Sequence, residues 1–369
     1  MKYIFWLSFL AVNYTYWGYP VLLVVLARFR NRPILKAPFQ PTISVIMAVR
    51  NGVNLLPAKL ENLASLRYPR ELLQIVVVSD GSTDGTEDIL RNASWIHPVI
   101  LPRGVGKASA LNEAVREATG DILVFFDVRQ AVDTNALQEL ACGFADNDIG
   151  AVSGELHLRA ADGQGEGDGL GIYWKIEKLI RRLESASGSV IGVTGAIYAL
   201  RRELYEALPK GTLLDDVLIP MQVVRAGKRV IFQPSAMAED SLFDQPGKEF
   251  ARKVRTLSGN YQLLQLSPWL LSWENPCLLR FISHKILRLL VPFLLIALLV
   301  SSAMASGPVY KPALVCQLLI YGLAALGLIR SLRSFRVISI AYTFTSLNAA
   351  ALISFWNFIL QKHDVWQAS

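Results

Sequence analysis

Apolar side chains follow two patterns along this chain, and each predicts a different kind of element. Four long runs, Tyr3 to Ala27, Leu289 to Tyr310, Pro312 to Ile329 and Val337 to Gln361, hold no charged side chain. A helix needs about 20 mostly apolar residues to cross a bilayer core, so each run predicts a span. Tyr3, Trp6, Trp17 and Tyr19 sit in the first run as interfacial aromatic anchors, and no small-residue cleavage pattern follows it. That run therefore reads as a retained anchor and not as a signal peptide. Between Pro41 and Pro234 the period shortens. Short β-branched runs at Ile43 to Val49, Leu73 to Ser79, Asp121 to Phe126, Ala151 to Leu156 and Arg229 to Gln233 predict strands. Apolar residues at helical spacing in Leu55 to Leu66, Lys107 to Ala118, Asn135 to Phe144 and Gly171 to Leu183 predict the covering helices. The alternation predicts parallel βαβ units in a doubly wound α/β sheet, which binds ligands beyond the carboxyl ends of its strands. Asp80, Gly81 and Asp127 fall at such ends.

Composition sharpens this picture. Of the 369 residues, 52% are hydrophobic and 18% charged, against about 25% charged in an ordinary soluble domain, which excludes a disordered chain or an ordinary soluble enzyme. Cys142, Cys277 and Cys316 are too few and too far apart for a disulfide framework or a paired zinc site. The net charge of +7 gathers partly beside the spans: Arg28, Arg30, Arg32 and Lys36 follow the first, Lys285 and Arg288 precede the second, and Arg330, Arg333 and Arg336 separate the last two. Basic flanks stay on the cytoplasmic side, so the charges predict an outward N-terminus, a multi-pass protein of the inner (plasma) membrane and a cytoplasmic domain between. They require no nucleic acid. The expected division is an anchor at 1–28, the cytoplasmic domain at 40–265, an amphipathic connector at 266–288 and further transmembrane helices at 289–361.

Three places in the domain carry chemistry. In Ser79-Asp80-Gly81-Ser82-Thr83-Asp84-Gly85-Thr86 a strand enters a polar turn and then a helix; Asp80 can accept from a nucleobase or ribose, while Asp84 and Thr86 read as helix caps. Gly104-Val105-Gly106-Lys107 opens a helix and can hold an anion. It is not a Walker loop, since Leu101 stands where the first glycine belongs. Asp127 ends the apolar strand Ile122 to Phe126, where a carboxylate has little structural purpose.

In this order, with Ser44 to Asn51, Gly106 to Asn112 and Gly120 to Asp127, these segments resemble the family 2 glycosyltransferases, and Gly195 to Arg202, Leu214-Asp215-Asp216 and Arg252-Lys253-Val254-Arg255-Thr256 extend the likeness toward membrane-bound polysaccharide synthases. The resemblance implies a GT-A fold, a Rossmann-like, doubly wound mixed sheet, with one N-terminal and about three C-terminal transmembrane helices. It implies Asp216 as general base, Asn51, Asp80, Lys107, Asp127, Arg252 and Arg255 toward a nucleotide diphosphate sugar, and Gly195 and Asp215 on the side of a lipid-linked or saccharide acceptor. It also implies Mg2+ or Mn2+ on Asp127, and work beside polysaccharide assembly or export subunits. Two departures stand out. The second aspartate of the metal motif is Arg129, free to pair with a phosphate or with Asp133, and Thr256 replaces the tryptophan that backs a growing sugar chain. The expected activity is inverting transfer of one or a few sugars in surface polysaccharide or glycolipid synthesis. The alternatives are a processive polysaccharide synthase and, from another class, a non-catalytic scaffold of an assembly complex. The alternating glycines from Gly163 to Gly171 predict a flexible loop. His97, His157, His284 and His363 share no metal-ligand spacing, and His284 reads as an interfacial residue. The spans hold almost no ionisable residue, which argues against a transporter.

Overall fold

The computed structural model describes residues 1–159, 168–241 and 246–360. The glycines at 163, 165 and 167, and His363, lie outside the described residues. Eight strands form one sheet: β1 (Ile43–Val49), β2 (Leu73–Asp80), β3 (His97–Leu101), β4 (Ile122–Phe126), β5 (Ala131–Val132), β6 (Ile149–Arg159), β7 (Ile197–Arg201) and β8 (Arg229–Ser241). Their spatial order is β3-β2-β1-β4-β7-β6-β8-β5. β1 pairs in parallel with both β2 and β4, Val45 standing opposite Ile75 on one side and Val124 on the other. β7 runs antiparallel between β4 and β6, so the sheet is mixed.

Because successive strand residues point to opposite faces, one continuous apolar run serves two cores. Ile43, Val45, Met47 and Val49 of β1 pack on α2 (Leu56–Ala64) through Leu56, Leu60 and Leu63. Ile46, from the same strand, packs beneath Ala108, Leu111 and Ala114. α3 (Thr86–Asn92) follows β2, and α4 (Lys107–Arg116) carries those three residues at i, i+3 and i+6, which places Lys107 at the strand ends. α5 (Ala136–Ala141) continues as a 3-10 turn to Ala145, and α6 (Asp168–Ser187) and α7 (Asp215–Arg225) cover the far half of the sheet.

α8 (Pro246–Leu266) leads into the apolar helices α9 (Leu278–Met304), α10 (Tyr310–Leu326) and α11 (Arg336–Ile359), with α1 (Lys2–Phe29) at the N-terminus. Three of these, α1, α9 and α11, are long and apolar enough to cross a membrane. α10 has 17 residues, or about 26 Å at 1.5 Å per residue, short of the roughly 30 Å hydrocarbon core. The C-terminal region thus holds two helices of spanning length and one shorter one, where the sequence pattern predicted three spans. α11 packs on α6 and α8, and α1 packs on α6 and α9. Two contacts fix these seams: Ser354 Oγ donates to the Val254 carbonyl at 2.9 Å, and Tyr14 Oη lies 2.9 Å from Ser283 Oγ. Both α1 and α9 contain a π turn, at Tyr14–Gly18 and Ile282–Ile286.

Candidate active site

The ends of β2 and β4 and the start of α7 meet at one cavity of about 2320 Å³, which is more than the roughly 300–1,000 Å³ of a single-ligand pocket. Lys107 lines it. Its Nζ donates to Asp127 Oδ1 at 3.0 Å and lies 3.3 Å from Asp215 Oδ2, so one cation ties the end of β4 to the start of α7. Burial works against its charge, but Asp127 and Asp215 outweigh it and hold the ammonium above the ordinary lysine range. Asp215 is buried and also accepts from Tyr198 Oη at 3.4 Å. No side-chain cap forms at the start of α7, so Asp215 serves Lys107 and Tyr198 and does not cap the helix.

Asp216 points into the same space. Burial, with the adjacent Asp215 charge adding to it, pushes its carboxyl up to about 6, while Lys285, Lys107 and Arg181 pull the other way. The loop opposite is held by Val193 N–H donating to the Asp216 carbonyl at 2.8 Å. A Cβ at Gly195 would stand 3.5 Å from Asp216 Oδ2, so glycine there leaves room beside that oxygen.

The far end of the cavity is built from loops. Asp80 is buried, and its two oxygens accept from the N–H groups of Val105 at 2.6 Å and Gly106 at 3.0 Å. In this state it fixes the turn that delivers Lys107, with its carboxylate at the cavity wall. Gly81 is required beside it: φ is +61°, and a Cβ would come within 2.3 Å of the Arg103 and Gly104 backbone. Asn51, itself at φ +50°, accepts from Thr83 N–H at 2.9 Å, and its own N–H donates to Ser82 Oγ at 3.0 Å, which joins the β1 and β2 turns. Asp84 accepts from the N–H groups of Val53 and Thr86 at 3.0 and 3.1 Å, fixing the entry to α3. Arg252 and Arg255, three apart on α8, line the cavity, and no hydrogen bond or ion pair engages Arg255 among the described residues.

Arg129 pairs with Asp240 of β8 at 2.6 Å and not with Asp133, whose Oδ1 accepts from Asn135 N–H. Its charge is therefore committed to the sheet. No group of three or more His, Cys, Asp or Glu that could hold a metal occurs among the described residues. Asp127 nonetheless fits a magnesium-type ion as its one protein ligand: its side chain is 36% exposed at the cavity and only Oδ1 has a protein partner. Such ions take one or two carboxylates and complete their shell with substrate phosphate and water.

The lower wall holds residues that sequence reasoning passed over or misplaced. His284 is buried, with Nδ1 3.0 Å from Glu184 and Nε2 3.3 Å from Glu177, so it sits inside the protein and does not face lipid. Arg288 also pairs with Glu177, and Tyr19 Oη donates to Glu184 at 2.5 Å. Burial opposes the Glu177 charge, but Arg288 and His284 hold its carboxyl well below the usual range. Lys285 and Arg181 line the cavity next to Asp216. The available signal was helical spacing, since Glu177, Arg181 and Glu184 fall on one stripe of α6.

A mixed α/β sheet that gathers Lys107, Asp127 and the Asp215–Asp216 pair at its strand ends, above apolar helices of spanning length, is a GT-A arrangement. Residues 44–208 match the family described as Glycosyl transferase family 2. The chain is 28% identical over 214 residues to a probable glycosyltransferase, YdaM, of Bacillus subtilis (strain 168), covering 53% of this chain and 50% of that protein. It is 24% identical over 238 residues to a poly-beta-1,6-N-acetyl-D-glucosamine synthase of Staphylococcus aureus (strain MSSA476), covering 60% and 55%. It thus spans about half the length of the curated relatives it matches. A mannosyltransferase from Pyrobaculum calidifontis, solved in complex with GDP-Man and Mn2+, shares the fold with a TM-score of 0.71 at 24% identity, over 97% of this chain and 99% of that one.

Proposed function

We propose that the chain transfers a sugar from a nucleotide diphosphate sugar to an acceptor hydroxyl, with inversion, at the cytoplasmic face of the inner membrane. The observation that carries this reading is the placing, across one cavity, of the Lys107–Asp127 ion pair opposite a carboxyl at Asp216 raised to about 6. A base of that strength is mostly ionised at neutral pH and still accepts a proton. The acceptor oxygen attacks the anomeric carbon, the bond to the diphosphate breaks, and the acceptor proton passes to Asp216. One displacement from the opposite face inverts the anomeric configuration. Lys107 and Arg255 neutralise the charge that develops on the departing diphosphate, and Asp215 keeps Lys107 in place. Asp127 would hold a divalent ion, which when bound supplies further charge stabilisation to the diphosphate. The nucleotide lies toward Asn51 and Asp80; on donor arrival the Asp80 carboxylate either keeps its two backbone partners or exchanges them for the nucleoside.

The mannosyltransferase solved with GDP-Man and Mn2+ supports a nucleotide-sugar donor and a divalent ion, as a protein of the same fold. The synthase of S. aureus supports a role in surface polysaccharide synthesis and also gives weight to processive polymerisation. Thr256, exposed on α8, offers no aromatic backing for a growing chain, so we favour single transfer or short extension. A panel of radiolabelled nucleotide sugars offered with native membrane lipids, with and without chelator, tests the reading. Transfer from one donor into a lipid-extractable or saccharide product is expected. No incorporation from any donor would overturn it, and a product ladder longer than a few sugars would overturn the preference for single transfer.

A further inference from the structure

The transfer chemistry uses the part of the cavity between the strand ends and Asp216. The remainder runs down to the spanning helices, where Tyr16 and Trp17 of α1 and Phe344 and Leu347 of α11 form an apolar wall. Between the two parts stand Lys285 and Arg181. Arg181 donates to Thr194 Oγ1 at 2.6 Å and makes no direct ion pair among the described residues, though its charge acts on Asp216. The acidic groups of this layer are otherwise engaged: Glu177 holds Arg288 and His284, and Glu184 holds His284 and Tyr19. Lys285 makes no hydrogen bond or ion pair among the described residues, and it is the leading positive influence on Asp216. Asp216 and Glu177 act on the Lys285 ammonium without touching it, so an anionic ligand that reaches it would supply a direct pairing that no described residue makes. Its depth agrees, because Lys285 opens the apolar stretch of α9 on the basic flank, where lipid head groups lie.

We propose that this lower chamber seats the acceptor as an amphiphile, a lipid whose phosphate-bearing head group rests on Lys285 and Arg181 while its hydrocarbon chain follows the wall between α1 and α11. The inference rests on the transferase reading and deepens it by giving the acceptor a chemical class. A soluble saccharide would leave both the cations and the apolar wall unused. Lysine serves phosphate as a point charge, so its sign matters here more than its shape.

The test is a binding titration on the full chain in neutral phosphatidylcholine nanodiscs without nucleotide sugar, read by the fluorescence of Trp17 and Trp174, which line the cavity. The probes are geranylgeranyl phosphate, geranylgeraniol and inorganic phosphate. We expect the lipid phosphate to bind saturably and at least about tenfold more tightly than either other probe. Lys285→Gln should weaken it about tenfold or more, and Lys285→Arg should restore it to within about threefold. Equal binding of the alcohol would mean an apolar groove only, and equal binding of inorganic phosphate an anion site only; either overturns the proposal, as does unchanged binding by a folded Lys285→Gln protein. The probe series on the unaltered chain decides the matter even if that variant does not fold. Transfer to a soluble saccharide without lipid-phosphate binding would sink this inference and leave the transferase reading intact. Binding without transfer from any nucleotide sugar would do the reverse.

Discussion

If Asp216 is the base, as proposed, it and its neighbours set the pH dependence of turnover. In the unliganded protein burial and the Asp215 charge push the Asp216 carboxyl up to about 6. A general base works only when ionised, so kcat/KM should fall as pH drops through that value, since this ratio reports the free enzyme. At one unit above, about 91% of the protein carries the base form, and at one unit below, about 9%, which gives roughly a tenfold loss between pH 7 and pH 5. Two substitutions should move this limb in opposite directions. Asp215→Asn removes the repulsion that raises Asp216, so the limb should move to lower pH; Lys285→Gln removes a charge that lowers it, so the limb should move up. Charges within about 4–6 Å shift a carboxyl by about 1–3 units, and shifts near the lower end are expected at this partly open site. Initial rates of sugar release from the donor at subsaturating concentration, in buffers of constant ionic strength from pH 4.5 to 8.5, provide the assay. A flat profile across that range, or two variants shifting the limb the same way, would refute the assignment of Asp216 as the titrating base.

Three further outcomes follow from the geometry. Gly81→Ala forces a Cβ into the backbone of Arg103 and Gly104 at φ +61°, so it should destabilise the domain by more than about 2 kcal/mol and weaken nucleotide binding, read by thermal melting and by titration with a nucleoside diphosphate. Arg255→Gln removes a cavity-lining cation that has no protein partner among the described residues; it should raise the KM for donor about tenfold with little change in melting temperature. On the proposal that Asp127 holds a divalent ion, chelation should cut turnover at least about tenfold, with recovery on adding Mg2+ or Mn2+.

The fold was legible wherever a strand was buried on both faces. Ile43–Val49 and Ile122–Phe126 are continuous apolar runs because helices cover both sides of β1 and β4. β3 was not legible: it is an edge strand that pairs only with β2, begins His-Pro and is partly exposed, so no face imposes a pattern. β7 was hidden for another reason. Its five residues are nearly all buried, and it runs against its neighbours, whereas periodicity carries no information on direction. β8 reaches Ser241, well past the stretch its pattern marked, and so brings Asp240 to Arg129 across 111 residues of chain, a pairing no local spacing announces. Lys107, Asp127 and Asp215 were singled out separately as residue types at strand and helix ends, yet their union through one ammonium is a product of sheet order. The same holds for Lys285, which reads in sequence as one more basic residue beside a span and becomes a cavity group only when α9 meets α6.

The central claim is that one cavity holds both a donor anchor and an acceptor base. Single-turnover release of nucleoside diphosphate from the cognate donor, in the presence of acceptor, measures both in the unaltered chain, Asp216→Asn and Asp127→Ala. Asp216→Asn should bind donor as before and react about 10²- to 10⁴-fold more slowly, the range of positioned proton transfer, while Asp127→Ala should lose both donor affinity and rate. Equal turnover in all three proteins would contradict the account.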